Sequence, residues 1–348
     1  HNISLSGGND KGSIRVSASK SNENGLYEGH KVDKTNLDLK AAYQVNSWLS
    51  VDAKASYFNS KGEQRPEMGY YSFISYFNTM PMNIRSADLA PGYIINQAGN
   101  HQEILYTTAN ANYRNPYFMR EQIYNNDERY RGFGYLGTNI QFTDALKLRL
   151  KYGLDFYREG LSNGYKYADN VSSIRPDYNT EERFFKEENY EFLLSYNKDF
   201  EDLTLSVNMG GNRMYTQSQS LLSRSGKLPT EGYYFLGYGT NITSAQAFSE
   251  QEVQSLYGFA QVGYKDMVYF DATARNDWSS TLPVENNSYF YPSFGISGLI
   301  SEMYDLPDWF TFAKVRGSWA QVGKAADPYA IDESFTISTW NYNLLNGN

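Results

Sequence analysis

The sequence predicts an all-β fold, an antiparallel transmembrane β-barrel wall of roughly twelve strands with long extracellular loops and short periplasmic turns. Three observations support this fold. Apolar and polar residues alternate along most segments, short and long connections follow one another in turn, and aromatic residues cluster at the short connections.

The alternation is clearest at residues 146–157, which read LKLRLKYGLDFY. Leucine or an aromatic residue occupies nearly every second position, and lysine, arginine or aspartate occupies most of the others. A helix would spread these residues around its circumference, so the segment is predicted to be a strand between two environments. Those environments are either the two sides of a soluble sheet, or lipid and a polar lumen.

Composition narrows the function classes. Aromatic residues make up 16% of the 348 residues, and 32 of them are tyrosines, which suit surfaces where a ring contacts apolar matter and its hydroxyl reaches water. The net charge of −8 argues against nucleic acid as a partner. The absence of cysteine excludes thiol catalysis, and no apolar run is long enough for a transmembrane helix.

The predicted strands form six hairpin pairs in chain order. The hairpins are residues 3–20, 37–57, 134–157, 190–209, 256–276 and 290–319. Long connections are predicted at residues 59–129, 159–185 and 216–251, whereas the turns inside the hairpins are short. A soluble sandwich has turns of mixed length at both ends, but an outer-membrane barrel places short turns on one side and long loops on the other. The connections therefore favour the barrel.

Aromatic residues beside the short turns are predicted to form a membrane-interface girdle. The residues are Trp48, Phe142, Phe200, Tyr264 and Trp309.

Two C-terminal stretches carry a family resemblance. Residues 274–298 read ARNDWSSTLPVENNSYFYPSFGISG, and residues 312–323 read FAKVRGSWAQVG. Both resemble SusC/RagA-type TonB-dependent transporters, whose motifs are an R-x-D-x-S-S hairpin tip, a Y/F-P-S strand start and a K-x-R-x-S-(Y/W)-x-Q-x-G strand. Residues 1–26 are similar to the first barrel hairpin of that family. The matching positions are Arg275, Asp277, Ser279, Ser280, Pro292, Ser293, Lys314, Arg316 and Gly323.

The resemblance implies a plugged outer-membrane barrel of the 22-stranded type, driven by TonB and capped by a SusD-like lipoprotein. It implies TonB-dependent import of an oligosaccharide or peptide, with outer-membrane lipid around the barrel and no cofactor. The chain contains no TonB box, no plug and too few strands to close such a barrel. Residues 1–348 are therefore expected to be a partial barrel from a roughly threefold longer protein.

Catalytic and metal sites are not indicated. The three histidines, His1, His30 and His101, have no ligand spacing, and the acidic pairs at 181–182 and 187–188 are interpreted as solvated charges. The pairs Gly7-Gly8 and Gly210-Gly211 lack a strand-to-helix context and are interpreted as turns or sites of close backbone approach. The chain is predicted not to be an enzyme.

Tyrosine-rich loops are the candidate contact sites. Their rings could stack on cargo, or could pack the loops against each other or against a lipoprotein lid. The residues are Tyr70, Tyr71, Tyr76, Tyr233 and Tyr234. Two other interpretations remain open, a passive porin or adhesin on the same barrel and a soluble all-β glycan-binding protein.

Overall fold

The structure is a computed structural model that describes residues 1–26, 28–66, 69, 72–105, 114–167, 176–307 and 309–331. Twelve strands form one antiparallel sheet in which neighbours in space are neighbours in sequence, apart from one inserted hairpin. The strands of this sheet are β1 (Asn2–Asn9), β2 (Gly12–Asn24), β3 (Lys31–Gln44), β4 (Leu49–Glu63), β7 (Ile123–Gln141), β8 (Leu146–Tyr165), β9 (Asp177–Asp199), β10 (Leu203–Lys227), β11 (Thr243–Tyr264), β12 (Val268–Ser279), β13 (Ser288–Leu299) and β14 (Lys314–Ala320). The predicted fold class is confirmed, and β1 and β14 are the two ends of the sheet.

The remaining elements lie in the connections. The inserted hairpin consists of β5 (Tyr93–Ile95) and β6 (His101–Glu103), and the α-helices are α1 (Phe73–Thr79), α2 (Pro116–Gln122) and α3 (Ile300–Met303). Short 3-10 helices occupy Ser86–Leu89, Leu236–Tyr238 and Val284–Asn286. No helix in the described part of the chain is long and apolar enough to span a membrane.

The two edges of the sheet differ, as predicted. One edge, here called the turn edge, carries the connections 10–11, 45–48, 142–145, 200–202, 265–267 and 300–313. The opposite edge, here called the loop edge, carries 25–30, 64–122, 166–176, 228–242 and 280–287. The connection at 300–313 is the exception on the turn edge, because β14 begins at Lys314 and not at Trp309 as predicted.

The strands are longer toward the loop edge than the alternation predicted. β8 continues to Tyr165 and β9 begins at Asp177, so the predicted connection 159–185 shortens to 166–176. Likewise β10 continues to Lys227 and β11 begins at Thr243. Polar residues occupy both faces of these extensions, which is why a pattern based on apolar alternation ended too early.

One face of the sheet, here called the outer face, is apolar. On β8 it carries Leu146, Leu148, Leu150, Tyr152, Leu154 and Phe156. At about 3.3 Å per residue and a tilt of about 40°, this run spans about 25 Å, the height of the lipid-facing band of a transmembrane barrel. Across the sheet, Leu136, Met209 and Ile296 on the same face remain 57%, 50% and 56% exposed, so no second layer formed by the described residues covers them.

Glycines on the sheet make room for cross-strand rings. A Cβ at Gly211 would lie 2.5 Å from the ring of Phe192, and one at Gly210 would lie 2.6 Å from the ring of Tyr257. These contacts fall on opposite faces, since successive residues of β10 alternate. The predicted close approach at Gly210-Gly211 is confirmed, although the pair lies inside a strand and not in a turn.

Candidate functional site: the inner face and the loop edge

The second face of the sheet, here called the inner face, is lined by ion pairs between strands. Arg149 on β8 contacts Asp52 on β4 at 3.0 Å, Lys151 contacts Glu191 on β9 at 3.3 Å, and Arg129 on β7 contacts Glu159 at 2.8 Å. Arg131 also pairs with Asp155. These side chains are partly exposed, so the face is a hydrated wall with fixed charges of both signs.

The family motif on β12 forms part of this inner face. Arg275 Nε donates to Asp277 Oδ1 at 2.7 Å, and the second carboxylate oxygen of Asp277 accepts from Tyr291 Oη at 3.0 Å. Arg275 also donates to Ser255 Oγ on β11 at 2.9 Å. The R-x-D pair therefore joins β11, β12 and β13.

The two motif serines form hydrogen bonds at the end of β12. Ser279 is buried and exchanges a hydrogen bond with Thr281 Oγ1 at 2.8 Å. Ser280 accepts from the backbone N–H of Glu252 through its hydroxyl and donates its own backbone N–H to the Glu252 carbonyl, each at 2.9 Å. This part of the motif stabilises the hairpin tip.

The other motif positions lie on β13 and β14. Pro292 is registered with Ala274 on the outer face, and Ser293 pairs with Thr273 and Ala320. Lys314 and Arg316 are exposed and registered with Leu299 and Ser297. A Cβ at Gly323 would lie 3.2 Å from the ring of Tyr291, which places this glycine against the motif of β12.

The predicted interface aromatics all lie at the turn edge. Four of them are about half exposed and lie in a tight turn or at the adjoining end of a strand, namely Trp48, Phe142, Phe200 and Tyr264. The fifth, Trp309, precedes β14 within the connection 300–313. Their placement at one height is compatible with a girdle, and their contact with lipid stays a prediction.

A folded insertion occupies the loop edge between β4 and β7. Its apolar cluster consists of Phe73, Tyr76 and Met119, with Ile74 and Phe77 packed against it. The clustering explains why α1 and α2 form there, since two short helices can bury their apolar faces against each other. Sequence alternation could not predict this insertion because its elements are short and irregular.

A buried ion pair organises the same insertion. Arg114 Nε contacts both carboxylate oxygens of Glu103, at 3.1 and 2.8 Å, and both side chains are 3% exposed. Glu103 also accepts the backbone N–H of Asn115 at 2.7 Å. The amide of Asn115 donates to the carbonyls of Leu89 and Ile104, and its oxygen caps α2 by accepting from the backbone N–H of Tyr117.

Three loops meet at a single junction, here called the loop junction. His101 of β6 contacts Glu231 through Nδ1 at 2.8 Å, and its ring stacks on Tyr167 with centroids 3.7 Å apart. Gln122 donates to the Tyr167 carbonyl at 2.9 Å, and Tyr234 Oη donates to the Lys166 carbonyl at 2.9 Å. The junction thus joins the insertion to the connections 166–176 and 228–242.

Burial at the loop junction shifts three ionisation equilibria. It raises the pKa of Tyr167 to about 12, with the neighbouring Tyr93 and Tyr234 adding to the effect. Burial also raises the pKa of Tyr234 and lowers the pKa of Lys166. The phenols therefore stay neutral and serve as packing and hydrogen-bonding groups at ordinary pH.

The candidate tyrosines occupy different environments. Tyr76 is buried in the insertion, Tyr234 is half-buried at the loop junction, and Tyr233 is exposed beside the ring of Tyr238 at 5.2 Å. Tyr70 and Tyr71 lie outside the described residues. His101, Tyr167 and Glu231 were not predicted to act together, because their association depends on loop folding that leaves no periodic signal.

Among the residues that the structure describes, no group of three or more histidine and acidic side chains could hold a metal ion.

Searches of protein-family models and of curated protein sequences found no match. Solved structures do match. The RagAB peptide importer in its closed-closed state superposes with a TM-score of 0.76 over 98% of this chain and 38% of that chain, at 18% sequence identity. The sheet has the fold of a RagA-type barrel wall. The resemblance predicted from the motifs is thereby confirmed at the level of the fold.

Two further structures agree. The open-open state of the RagAB importer gives a TM-score of 0.71 over 92% of this chain and 36% of that chain, at 20% identity. The siderophore receptor PiuA from Acinetobacter baumannii gives 0.52 over 85% of this chain and 45% of that chain, at 10% identity. This chain therefore spans between about a third and a half of the length of the structures it matches.

Proposed function

We propose that the chain is part of the wall of an outer-membrane transporter of the SusC/RagA type, which imports a nutrient with energy supplied through TonB. The observation that carries the proposal is the pairing of an uncovered apolar face about 25 Å high with an inner face of hydrated ion pairs. A sheet with these two faces suits lipid on one side and a watery bore on the other.

Residues 1–348 are proposed to be a partial barrel. The sheet ends at β1 and β14, and open strand edges are not tolerated in lipid because their N–H and C=O groups have no partners there. The plug domain, the TonB box and the remaining strands belong to other parts of the polypeptide in this proposal. Mass spectrometry of the native polypeptide tests it, with a mass roughly threefold above 39.8 kDa expected.

The proposed cargo is a peptide, with an oligosaccharide as the second candidate. The peptide is favoured because the two RagAB structures that superpose over more than nine-tenths of this chain are described as a peptide importer. The loop edge would receive the cargo together with a SusD-like lipoprotein lid. Tyr233 has the exposed ring that such contacts require, whereas Tyr76 and Tyr234 would support the loops from within.

The wall would act through changes in conformation and would not make or break covalent bonds. The loop junction holds three loop-edge segments as one unit, so movement of one loop is passed to the other two. Below it, the ion pairs of the inner face offer polar contacts of both signs to a peptide passing through the bore.

Two alternative functions would give different experimental results. A passive porin or adhesin on the same wall would need no energy source. A soluble glycan-binding protein would have to cover the outer-face residues Leu136, Met209 and Ile296, which lie half exposed.

The deciding experiment measures uptake of fluorescent oligopeptides and oligosaccharides by cells with and without the intact gene, each with and without a protonophore. Peptide uptake that needs the gene and stops with the protonophore is expected. Uptake that persists with the protonophore supports the passive pore. Recovery of the protein without detergent supports the soluble interpretation and overturns the proposal.

A further inference from the structure

A small pocket lies at the loop edge, between the insertion and the adjoining ends of β4 and β7. Its volume is about 200 Å³, which corresponds to about seven water molecules in the liquid. This volume suits one amino-acid residue at the end of a chain and is too small for a whole peptide. The lining includes Glu28, Arg65, Pro66, Phe73, Arg120 and Ile123.

The pocket lies on the bore side of the loop edge. Ile123 is the first residue of β7 and falls on the same face as Arg129 and Arg131, because residues of a strand alternate between its two faces. Those arginines belong to the inner face, where they pair with Glu159 and Asp155. Cargo that enters the bore from the loop edge therefore passes this pocket.

The most buried part of the lining is apolar. Phe73 of α1 and Ile123 of β7 are only 4% and 6% exposed, and Pro66 lines the pocket with them. An apolar side chain that enters the pocket removes its own surface from water against these residues, which favours binding.

Two guanidinium groups form the basic part of the lining. Arg65 contacts Asp127 through Nε and Nη2, with Nη2 at 3.0 Å. Arg120 contacts Glu121 through the same two nitrogens, at 3.0 and 2.6 Å. A guanidinium has five N–H donors, so both arginines keep the donors on Nη1. Hydrogen bonds from such donors to a carboxylate belong to the strong, charge-assisted class.

Glu28 contacts one of these donor groups loosely. Its Oε2 lies 3.5 Å from Nη1 of Arg120, beyond the about 2.7–3.2 Å of an ordinary N–H to O hydrogen bond, and its side chain is 85% exposed. An exposed ion pair of this kind contributes little to stability, so another carboxylate can replace Glu28 at small cost. Glu28 thus marks a position that suits a carboxylate of a ligand.

We infer that this pocket, here called the carboxylate pocket, binds the free C-terminal carboxylate of a cargo peptide. The carboxylate accepts from Nη1 of Arg120 in place of Glu28, and Arg65 supplies a second guanidinium in the same pocket. The last side chain of the peptide lies against Phe73 and Ile123. This inference rests on the proposed function, because it assumes that the cargo is a peptide.

A terminal carboxylate fits the pocket better than an acidic side chain within a peptide. An internal residue carries chain on both sides, and both lengths of chain would have to leave a pocket that holds about one residue. A terminal residue carries chain on one side only.

Binding of two matched peptides to the full-length protein tests the inference. The first is a heptapeptide of alanine, glycine and leucine with a dansyl group on its N-terminus, so its only carboxylate is the C-terminal one. The second is the same peptide with a C-terminal amide. Fluorescence anisotropy should give a dissociation constant at least tenfold higher for the amide. Equal dissociation constants, or no binding of either peptide, overturn the inference.

The ratio of the two dissociation constants separates recognition of the carboxylate from a structural defect. Arg120→Gln should bring this ratio close to one, whereas a loosened insertion would weaken both peptides equally and keep the ratio. Glu28→Gln should strengthen binding of the acid at least twofold and leave the amide unchanged, because it removes the competing carboxylate.

The matched control is Arg85→Gln. Arg85 lies in the same insertion, is 82% exposed and lies outside the pocket, so both dissociation constants should stay unchanged. The inference fails if Arg120→Gln keeps the ratio of the unaltered protein, or if Glu28→Gln binds the acid no more tightly.

The outcome is distinguishable from failure of the proposed function. If both peptides bind equally and both enter cells in a protonophore-sensitive manner, the carboxylate pocket is refuted and the transporter stands. If uptake of both peptides persists with the protonophore, the energised transporter is refuted whatever the ratio of the dissociation constants.

Discussion

Arg149 reaches across an intervening strand to contact Asp52, because the residue between them is glycine. The guanidinium on β8 lies 3.0 Å from the carboxylate on β4, and β7 separates the two strands. A Cβ at Gly137 of β7 would lie 2.9 Å from Arg149 Nη2 and 2.9 Å from Asp52 Oδ1. The contact therefore depends on the absence of a side chain at that position.

We predict that Gly137→Val displaces this ion pair and lowers barrel stability by on the order of 1 kcal/mol, because a partly exposed pair is screened by water. The midpoint of the heat-induced mobility shift of the folded barrel in detergent gels measures the effect. Gly153→Val is the matched control on the inner face, where the nearest atom to a Cβ is 3.7 Å away. Equal midpoints for the two variants would contradict the prediction.

A second prediction concerns the buried pair in the insertion. Glu103→Gln removes the charge that offsets Arg114, and loss of one partner of a buried pair costs about 3–5 kcal/mol. Because the pair lies in the insertion and not in the sheet, the expected result is local opening of residues 72–105 with an unchanged barrel.

Hydrogen exchange of the insertion, compared with exchange of β8 and β9, measures this opening. Arg85→Ala is the control, since Arg85 pairs with Asp88 in the same insertion but is 82% exposed. Faster exchange throughout the sheet in Glu103→Gln would show that the insertion is not a separate unit.

The sheet was predictable wherever its two faces met different solvents. In β8 the outer-face leucines alternate with Lys147, Arg149 and Lys151, so strand, face and turn could all be located from the sequence. Beyond Phe156 the outer face is no longer apolar, and the strand nevertheless continues to Tyr165. Backbone hydrogen bonds between neighbouring strands maintain these extensions. Such bonds do not depend on the side chains, so they produce no hydrophobic periodicity in the sequence.

Contacts that depend on register were not predictable. Arg15, Lys40 and Lys54 lie directly opposite one another on three neighbouring strands. A shift of one residue in the strand register would destroy this alignment, and the sequence alone does not give the register. The loop junction likewise joins His101 to Glu231 across 130 residues. Composition predicted aromatic loops but could not assign their partners.

A third prediction tests which face meets lipid. Leu150→Arg places a charge near the middle of the apolar run on β8, where burial of arginine in lipid costs about 2–4 kcal/mol. The yield of folded protein and its unfolding free energy in lipid vesicles should both fall.

The control substitution introduces the same sign of charge on the inner face. Gln261→Lys faces Asp271, to which Gln261 already donates at 2.6 Å, so it should be tolerated. A larger loss of folded yield and unfolding free energy in Gln261→Lys than in Leu150→Arg would reverse the assignment of the two faces.

The last prediction follows from the phenol at the loop junction. Burial raises the pKa of Tyr167 to about 12, above its ordinary value of 10. The folded junction therefore holds this proton more tightly than an opened loop does. Its contribution to stability is complete below pH 10 and is lost as the pH rises through about 12.

Short pulses of an alkaline protease across this pH range should begin to cut the connection 166–176 between pH 10 and 12. Tyr167→Phe removes the ionisable hydroxyl but keeps the ring on His101, so cutting should begin at a higher pH. Tyr233→Phe is the control, because the ring of Tyr233 is exposed and lies outside the junction. Removing its hydroxyl should leave the pH at which cutting begins unchanged. If Tyr167→Phe and the unaltered protein are cut at the same pH, the buried phenol does not hold these loops together.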